Sequence, residues 1–253
     1  MSAVIICCPV YYDVIRNGTS IINGSLAITQ WNHLLYTLRG YCSKILDVPA
    51  SNTDTTMVFA SSGALLCGNT AIVPRHDEGH WTHFLMCNQY TVHSLRSSFC
   101  GESDALFSHC GKHLWIGCGF HTERSAVTDI KPLLPSDVRV HSLVLQDSVL
   151  NHLDVCFCPL DSKNVMYYPH ALTRESVNLI MQHFENCIEV SDKDARNRAC
   201  NAIIVKNVVI LHMCSETLEE SLKEIGYKVI FQNMSEFLKS GKSCKSCVLK
   251  VNK

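Results

Sequence analysis

Residues His152 and Asp154, in the stretch NHLDVCF, carry the strongest chemical signal in this sequence. They lie two positions apart, so in a strand both side chains point to the same face. A histidine beside a carboxylate suits general acid or base catalysis, because its pKa lies near neutral pH. Asp104, in GESDALF, stands at the corresponding start of an earlier apolar hairpin. The residues alone leave the alternatives open: a core histidine at 152, and a turn or capping residue at 104.

The C-terminal stretch FLKSGKSCKSCVLKVNK contains a CxxC pair, Cys244 and Cys247. A four-cysteine zinc site needs a second CxxC, which the sequence lacks, and a thioredoxin-like redox motif needs a following helix pattern. We therefore favour neither zinc binding nor redox chemistry for this pair.

Three histidines in HDEGHWTH, at positions 76, 80 and 83, would share one face of a helix. Gly79 weakens that helix, and no glutamate follows the first histidine as in a zinc protease. We expect a solvated loop here, and we predict no metal site and no cofactor in the protein.

The elements that must position these side chains follow a repeated pattern of apolar run, tight polar turn, second apolar run and helix-like stretch. Two apolar runs joined by a tight turn predict a β-hairpin. The turns stand about 40 to 50 residues apart, which is typical of radially repeated architectures. They fall at Cys67–Asn69, Gly111, Asp161–Asn164 and Lys206–Asn207.

A fifth unit would form by pairing the first run, AVIICCP, with the last, CVLKV. The sequence thus predicts one α/β domain over residues 1–253, a ring of five hairpin-plus-helix modules whose inner ends converge on a central site. Helical spacing is found in LAITQWNHLLYTLRGY, ALTRESVNLIMQHFENC and SETLEESLKEIGYKV. Thr173 and Ser215, each followed by acidic residues, are the expected N-caps of the last two helices.

Composition excludes several classes of function. The formal net charge is -1, so the chain lacks the basic field of nucleic-acid binders and we predict no nucleic-acid partner. The first apolar run, of about eight residues, is far shorter than the roughly 20 of a membrane span. Fifteen cysteines cannot all pair within one chain, and many lie in apolar runs, so we expect buried free thiols and a cytoplasmic protein.

Several motifs between residue 55 and the C-terminus are specific when taken together: MVFASSGALLCGN, GESDALF, LWIGCGFHTER, HLDVCFCPL, YYPHAL, ACNAIIV and SEFLKSGKSCKSC. In these motifs the chain resembles the guanidino-group-modifying enzymes of the pentein superfamily, the group with dimethylarginine dimethylaminohydrolase, arginine deiminase and arginine dihydrolase. The resemblance implies a five-bladed α/β propeller, the pentein fold, in agreement with the repeat count.

The resemblance also implies covalent catalysis. In the family a cysteine thiolate attacks the guanidinium carbon, a histidine protonates the leaving amine, and water hydrolyses the intermediate to a urea-type product such as citrulline. His152 matches the family's histidine, while Asp154 and Asp104 match carboxylates of the same motifs.

Four other positions depart from the family pattern. An ungapped match puts Ser246 at the position of the nucleophile, and a serine lacks the acidity that this role needs. Cys100 replaces a substrate-holding glutamate, although Glu102 lies two residues away. Ser62 replaces an asparagine, and His121 replaces the arginine that serves the substrate's carboxylate. Lys242 further adds a cation near the expected position of a cationic substrate.

Two functions follow from this pattern. The favoured one is a catalytically degenerate pentein protein whose pocket binds a guanidino-type small molecule or whose surface binds a protein partner. The alternative is an active hydrolase of arginine or methylated arginine in which Cys247 replaces the usual nucleophile. That alternative requires a one-residue slip, and since adjacent strand residues face opposite ways, the slip needs a bulge. A monomer or a homodimer is expected in either case.

Overall fold

The fold is built from one repeated unit, a three-stranded sheet. The structure is a computed structural model that describes residues 3–75, 77, 79–108 and 111–251. In each unit two strands pair antiparallel, and one of them also pairs in parallel with a third strand that is reached through a crossover segment. Five such sheets are present within the described residues, together with a two-stranded hairpin. The five-bladed α/β architecture predicted from the sequence is confirmed.

The strands of the described residues are β1 (Ala3–Cys7), β2 (Ile15–Arg16), β3 (Thr19–Ser20), β4 (Lys44–Val48), β5 (Leu65–Cys67), β6 (Thr70–Val73), β7 (Thr91–Ser94), β8 (Ala105–Phe107), β9 (His113–Cys118), β10 (Arg139–Val144), β11 (Phe157–Pro159), β12 (Asn164–Tyr167), β13 (Asn186–Glu189), β14 (Ile203–Val205), β15 (Val208–Leu211), β16 (Lys228–Phe231) and β17 (Leu249–Val251). The first blade has the order β17-β1-β4, and the second to fifth blades are β5 to β7, β8 to β10, β11 to β13 and β14 to β16.

The α-helices of the described residues are α1 (Gly24–Tyr41), α2 (His80–Cys87), α3 (Gly101–Asp104), α4 (Ser125–Ile130), α5 (Arg174–His183), α6 (Asp192–Arg196), α7 (Glu216–Glu224) and α8 (Ser235–Leu238). Short 3-10 turns add Ala60–Ser62, Lys131–Leu133, Leu153–Val155, Pro169–Ala171 and Lys245–Cys247.

Both predicted N-caps are confirmed. The Thr173 side chain accepts from the backbone N–H of Ser176, and that of Ser215 accepts from the N–H of Leu218. Each bond satisfies a backbone donor that the first turn of a helix leaves unpaired. The predicted helical stretches run too far at their C-terminal ends, because residues that follow the helices form the parallel strands β13 and β16.

The loop expected for HDEGHWTH is wrong from His80 onward, where α2 begins. Gly79 precedes the helix with a left-handed φ of 93° and does not interrupt it. The Asp77 carboxylate accepts from the backbone N–H groups of Trp81 and Thr82, at 3.2 and 2.7 Å. His76 lies outside the described residues. Because Gly79 lies at the N-cap position, outside the helix, its low propensity for a helix interior does not apply, and Asp77 supplies the capping hydrogen bonds.

The chain's two ends meet in the first blade. Strand β1 lies in the middle of that sheet, antiparallel to β17 on one side and parallel to β4 on the other. Buried side chains fill the spaces between neighbouring blades in four clusters. The hydrophobic core is therefore distributed around the ring, and the polar turns are left to meet at its centre. No helix among the described residues is long and apolar enough to cross a membrane.

Candidate functional site

Four short turns come together at the centre of the ring. Helix α3 packs against the 3-10 turns Ala60–Ser62 and Leu153–Val155, and the turn Lys245–Cys247 packs against Ala60–Ser62. Gly101 makes the close approach possible: its φ is +56°, and a Cβ there would lie 2.6 Å from the carbonyl oxygen of Ser61. An alanine would be strained by both effects. The polar residues predicted from the sequence are carried on these turns or next to them.

His152 and Asp104 form a buried pair. His152 Nδ1 lies 3.1 Å from Asp104 Oδ1, which also accepts from the backbone N–H of Leu153 at 3.0 Å. The other carboxylate oxygen accepts from the Thr122 hydroxyl at 2.8 Å. Asp104 is fully buried and His152 is 9% exposed. The carboxylate thus fixes the orientation of the imidazole ring and compensates a positive charge on it.

The charge state of His152 follows from these contacts. Burial acts to lower its pKa, but hydrogen bonds to Asp104 and Cys100 outweigh burial and raise the pKa of His152 to about 10. The ring of His121 stacks on that of His152, with centroids 4.2 Å apart. The pKa of His121 is lowered, first by partial burial and then by the neighbouring imidazole. At neutral pH His152 is therefore a cation and a proton donor, while His121 is a neutral ring.

Ser246 is tied to the other sequence-predicted carboxylate. Its hydroxyl donates to Asp154 Oδ2 at 2.9 Å and accepts from the Asn201 side-chain amide at 2.9 Å. The Asn201 side-chain oxygen also accepts from the backbone N–H of Ser246 at 3.1 Å and of Ser243 at 3.0 Å. Both Ser246 and Asp154 are fully buried. Asp154 Oδ1 is buried too and has no hydrogen-bond partner among the described residues.

The two thiols that flank Ser246 do not face the polar site. Cys244 and Cys247 are fully buried in the apolar cluster that also contains Phe59 and Phe237. Burial raises the pKa of Cys247 well above its ordinary value, with the neighbouring Cys244 adding to the effect. Burial likewise raises the pKa of Cys244 to about 12. A displaced nucleophile at Cys247 would need both an exposed sulfur and a thiolate, and this packing provides neither.

The Glu102 carboxylate, predicted to bind a substrate, is hydrogen-bonded to other groups of the protein. Its Oε2 accepts from Lys245 Nζ at 3.0 Å and from the backbone N–H of Lys250 at 2.7 Å. Glu102 is 2% exposed. Its charge is therefore already compensated by Lys245, and the pair links α3 to the C-terminal segment. A cavity of about 50 Å³ adjoins this pair, and its charged lining residues are Glu102, Asp154, Lys245 and Lys250.

Ser62 and Lys242 bring a cation to the site. Lys242 Nζ lies 3.4 Å from the Ser62 hydroxyl and 5.3 Å from the centre of the Phe59 ring. The Ser62 hydroxyl is also 2.9 Å from that of Ser103. The ammonium group acts on the charges of both His152 and His121. The positive charge of Lys242 therefore partly offsets the negative charges of the carboxylates at this site.

The structure brings together most of the sequence-predicted residues. His152, Asp104 and His121 form one group, Asp154 and Ser246 a second, and Glu102 joins the turns through Lys245. Their functional roles stay predictions.

Sequence reasoning missed Asn201, Thr122 and Lys245. Asn201 was visible in the motif ACNAIIV, but a buried amide that clamps a loop some 40 residues downstream has no local sequence signature.

Comparison with known proteins identifies relatives that are similar in sequence to this chain. No protein-family model matches the chain. The bifunctional arginine dihydrolase/ornithine cyclodeaminase ArgZ of Synechocystis sp. is 34% identical over 266 residues, which cover 98% of this chain and 37% of ArgZ. An N(G),N(G)-dimethylarginine dimethylaminohydrolase of Mycobacterium tuberculosis is 26% identical over 243 residues, covering 92% of this chain and 78% of that enzyme.

Among solved structures, the N-terminal domain of the cyanobacterial arginine dihydrolase ArgZ is similar throughout. A cysteine-to-serine variant of that domain, bound to substrate, superimposes with a TM-score of 0.94 at 33% identity, covering 100% of this chain and 99% of the domain. The chain thus spans about 37% of the full-length ArgZ but nearly all of its N-terminal domain.

Proposed function

Because this chain belongs to the pentein superfamily of guanidino-group-modifying enzymes, we propose that it is a catalytically degenerate member that binds a guanidino-type ligand without the family's covalent hydrolysis. The observation that carries the proposal is the hydrogen bonding and burial of Ser246, the predicted nucleophile position, and of the cysteines on either side of it. A buried serine hydroxyl donates to Asp154, and the thiols on either side of it are buried in apolar packing.

The chemistry of Ser246 supports loss of turnover. Attack on a guanidinium carbon needs a strong nucleophile, and a thiol with a pKa near 8.5 can be tuned to a thiolate while an unassisted alcohol cannot. His152 is held as a cation by Asp104, and a cation cannot accept the serine proton as a general base. The group that accepts the Ser246 proton in its hydrogen bond is instead the carboxylate of Asp154.

Ligand binding is supported by Asp154. One of its carboxylate oxygens is occupied by Ser246, and the other is buried without a partner among the described residues. A buried carboxylate oxygen that accepts no hydrogen bond is costly, and a guanidinium N–H would satisfy it. The ArgZ domain in which serine replaces a cysteine holds its substrate, in line with binding that does not depend on a thiol.

The ammonium group of Lys242 bears on which guanidino compound this site prefers. Lys242 disfavours a second positive charge near Ser62, and a carboxylate or another anionic group on the ligand would compensate it. Since arginine carries both a carboxylate and an α-ammonium group, we propose a guanidino carboxylic acid without the α-ammonium group as the preferred small molecule. The free thiols of the described residues support a reducing, cytoplasmic setting.

The alternative function, an active hydrolase, can be tested as hydrolysis with Cys247 as the nucleophile. Its burial argues against this form, since the loop would have to turn the thiol out of the cluster around Phe237. The matched pair of variants Ser246→Cys and Cys247→Ser separates the two functions.

We expect the parent protein to release no citrulline from L-arginine or methylated arginine, and to resist chloroacetamidine at Cys247. Ser246→Cys, which installs a thiol beside Asp154, should become labelled at position 246 and gain at least about 10²-fold in product formation over the parent background. Calorimetry with L-arginine and with a guanidino acid then measures binding, which Asp154→Asn should weaken by about tenfold or more.

Turnover by the parent that Cys247→Ser abolishes would replace the degenerate assignment with the enzymatic one. If Ser246→Cys folds with the parent's melting temperature but remains inactive and unlabelled, the loss extends beyond the nucleophile. If no guanidino compound binds the parent, the ligand assignment fails and a protein-binding role takes its place.

A further inference from the structure

Three histidines far from one another in sequence meet at the outer part of the ring. His113 begins β9, His141 lies in the parallel neighbour β10, and His183 ends α5. The first two belong to the third blade, whereas α5 belongs to the fourth blade, between β12 and β13. The group therefore lies where two neighbouring blades contact each other, away from the turns that carry the central site.

The imidazole nitrogens of these residues converge on one point. One ring nitrogen from each residue lies within 4.8 Å of the others. His113 Nδ1 and His141 Nε2 share a hydrogen bond of 2.8 Å, which a bound ion would replace, and the ring centroids of His141 and His183 are 4.3 Å apart at 74°. A zinc ion with bonds of about 2.0 to 2.1 Å to histidine nitrogen requires small movements from this arrangement. His183, on the exposed last turn of α5, is free to make the largest of them.

The second nitrogen of His183 is already oriented. His183 Nδ1 lies 3.0 Å from the carbonyl oxygen of Leu179, to which an Nδ1–H donates. This hydrogen bond leaves the lone pair of His183 on Nε2. Metal-binding histidines typically donate their other N–H to a carbonyl or carboxylate in this way.

The surroundings also suit a metal centre. The face of Trp115 packs on His141, with centroids 4.3 Å apart, and walls off one side of the group. A cavity of about 70 Å³ beside His113 and His183, lined also by Ser108 and Ser162, has room for a water molecule. Three protein ligands with a water in the fourth position form a common zinc coordination.

We infer that His113, His141 and His183 bind a divalent transition-metal ion, with Zn²⁺ the favoured ion, and that the bound ion links the third and fourth blades. Imidazole ligands without carboxylates select Zn²⁺, Cu²⁺ and Ni²⁺ over Mg²⁺ and Ca²⁺. All three ligands are imidazoles, which bind a metal ion in their neutral form. Nearby Arg139 adds positive charge, which limits the affinity.

The test compares the full chain with His183→Ala, and uses His33→Ala as the matched control. His183 and His33 are both exposed helical histidines, but His33 lies on α1, away from the group. We expect one Co²⁺ per parent molecule, with a tetrahedral visible spectrum and no thiolate charge-transfer band. Zn²⁺ at about a hundred times its dissociation constant should raise the melting temperature by about 5 °C or more.

His33→Ala should keep both effects and His183→Ala should lose them, while the melting temperatures of all three proteins agree without metal. Cys100→Ser tests a second possible metal group of the described residues, formed by Cys100, Asp104 and His152 at the central site. Co²⁺ binding that survives His183→Ala, that carries a thiolate band lost in Cys100→Ser, or that is absent in the parent at millimolar metal overturns the inference.

Discussion

A shift of one residue separates two side chains with opposite surroundings in the C-terminal loop. Ser246 reaches Asp154 and Asn201, while the next residue, Cys247, is buried among aromatic and aliphatic side chains. The match to the family's motif predicts that Ser246 stands at the nucleophile position, but a sequence does not show which way each side chain turns. Because these consecutive residues face different environments, the thiol of Cys247 does not take the place of a side chain at 246.

At the same scale, the pair of His152 and Asp104 predicts a pH dependence of stability. The folded pKa of His152, about 10, lies above its unfolded value near 6.5. A raised pKa contributes stability that is fully present below pH 6.5 and is lost as the pH rises through 10. We expect the free energy of unfolding of the parent, measured with urea, to fall across this window.

The control for this prediction is His152→Asn. Its amide can donate to Asp104 from nearly the position of Nδ1 but does not titrate in this range. The difference in unfolding free energy between the parent and this variant should be largest at pH 6 and decline by pH 10. Parallel pH profiles for the two proteins would show that the ion pair is not the cause.

At the scale of single elements, helix starts were predictable and helix ends were not. Thr173 and Ser215 act locally, through their own side chains and a backbone N–H three residues on. The ends of α5 and α7 depend instead on β13 and β16, which pair with strands of their own blades. Sequence periodicity does not record that pairing, so the predicted helices continued into strands.

The two N-caps should differ in their contribution to stability. Ser215 caps α7 and also donates from its hydroxyl to Asp194 Oδ2 at 2.7 Å, which joins α7 to α6. Thr173 accepts a capping bond of 3.4 Å from the N–H of Ser176, similar to the 3.3 Å bond at Ser215, and its hydroxyl also contacts the hydroxyl of Ser176 but no carboxylate. Thr173→Ala should cost about 1 kcal/mol and Ser215→Ala about 2 kcal/mol, since the latter also removes a bond to a buried carboxylate.

Chemical denaturation at neutral pH measures both variants. Equal losses would mean that the contact with Asp194 adds nothing beyond capping, whereas a larger loss in Thr173→Ala would reverse the ranking.

At the scale of the whole molecule, closure of the ring depends on strands from opposite ends of the chain. Leu249, on β17, pairs with Ile5 and is fully buried in the cluster between the first and second blades. Val251, two residues on, is only half-buried. The packing that closes the ring is therefore concentrated at Leu249.

Leu249→Ala should lower the free energy of unfolding by about 2 to 5 kcal/mol, as expected when a large side chain is removed from a packed core. Val251→Ala, on the same strand and face, should cost less than about 1.5 kcal/mol. Denaturant unfolding of the two variants beside the parent gives both values. A loss at Leu249 no greater than that at Val251 would show that β17 is dispensable for closure.

By itself, the sequence determined the repeat, the turns, two helix starts and the identity of the residues at the centre. These features depend on local spacing and side-chain type, which a single chain displays directly. It could not determine the third strand of each blade, the burial of Cys247, the pairing of Glu102 with Lys245, or the meeting of three histidines from two blades. Those depend on contacts between residues far apart in the chain, and only packing of the complete ring decides which side chains meet.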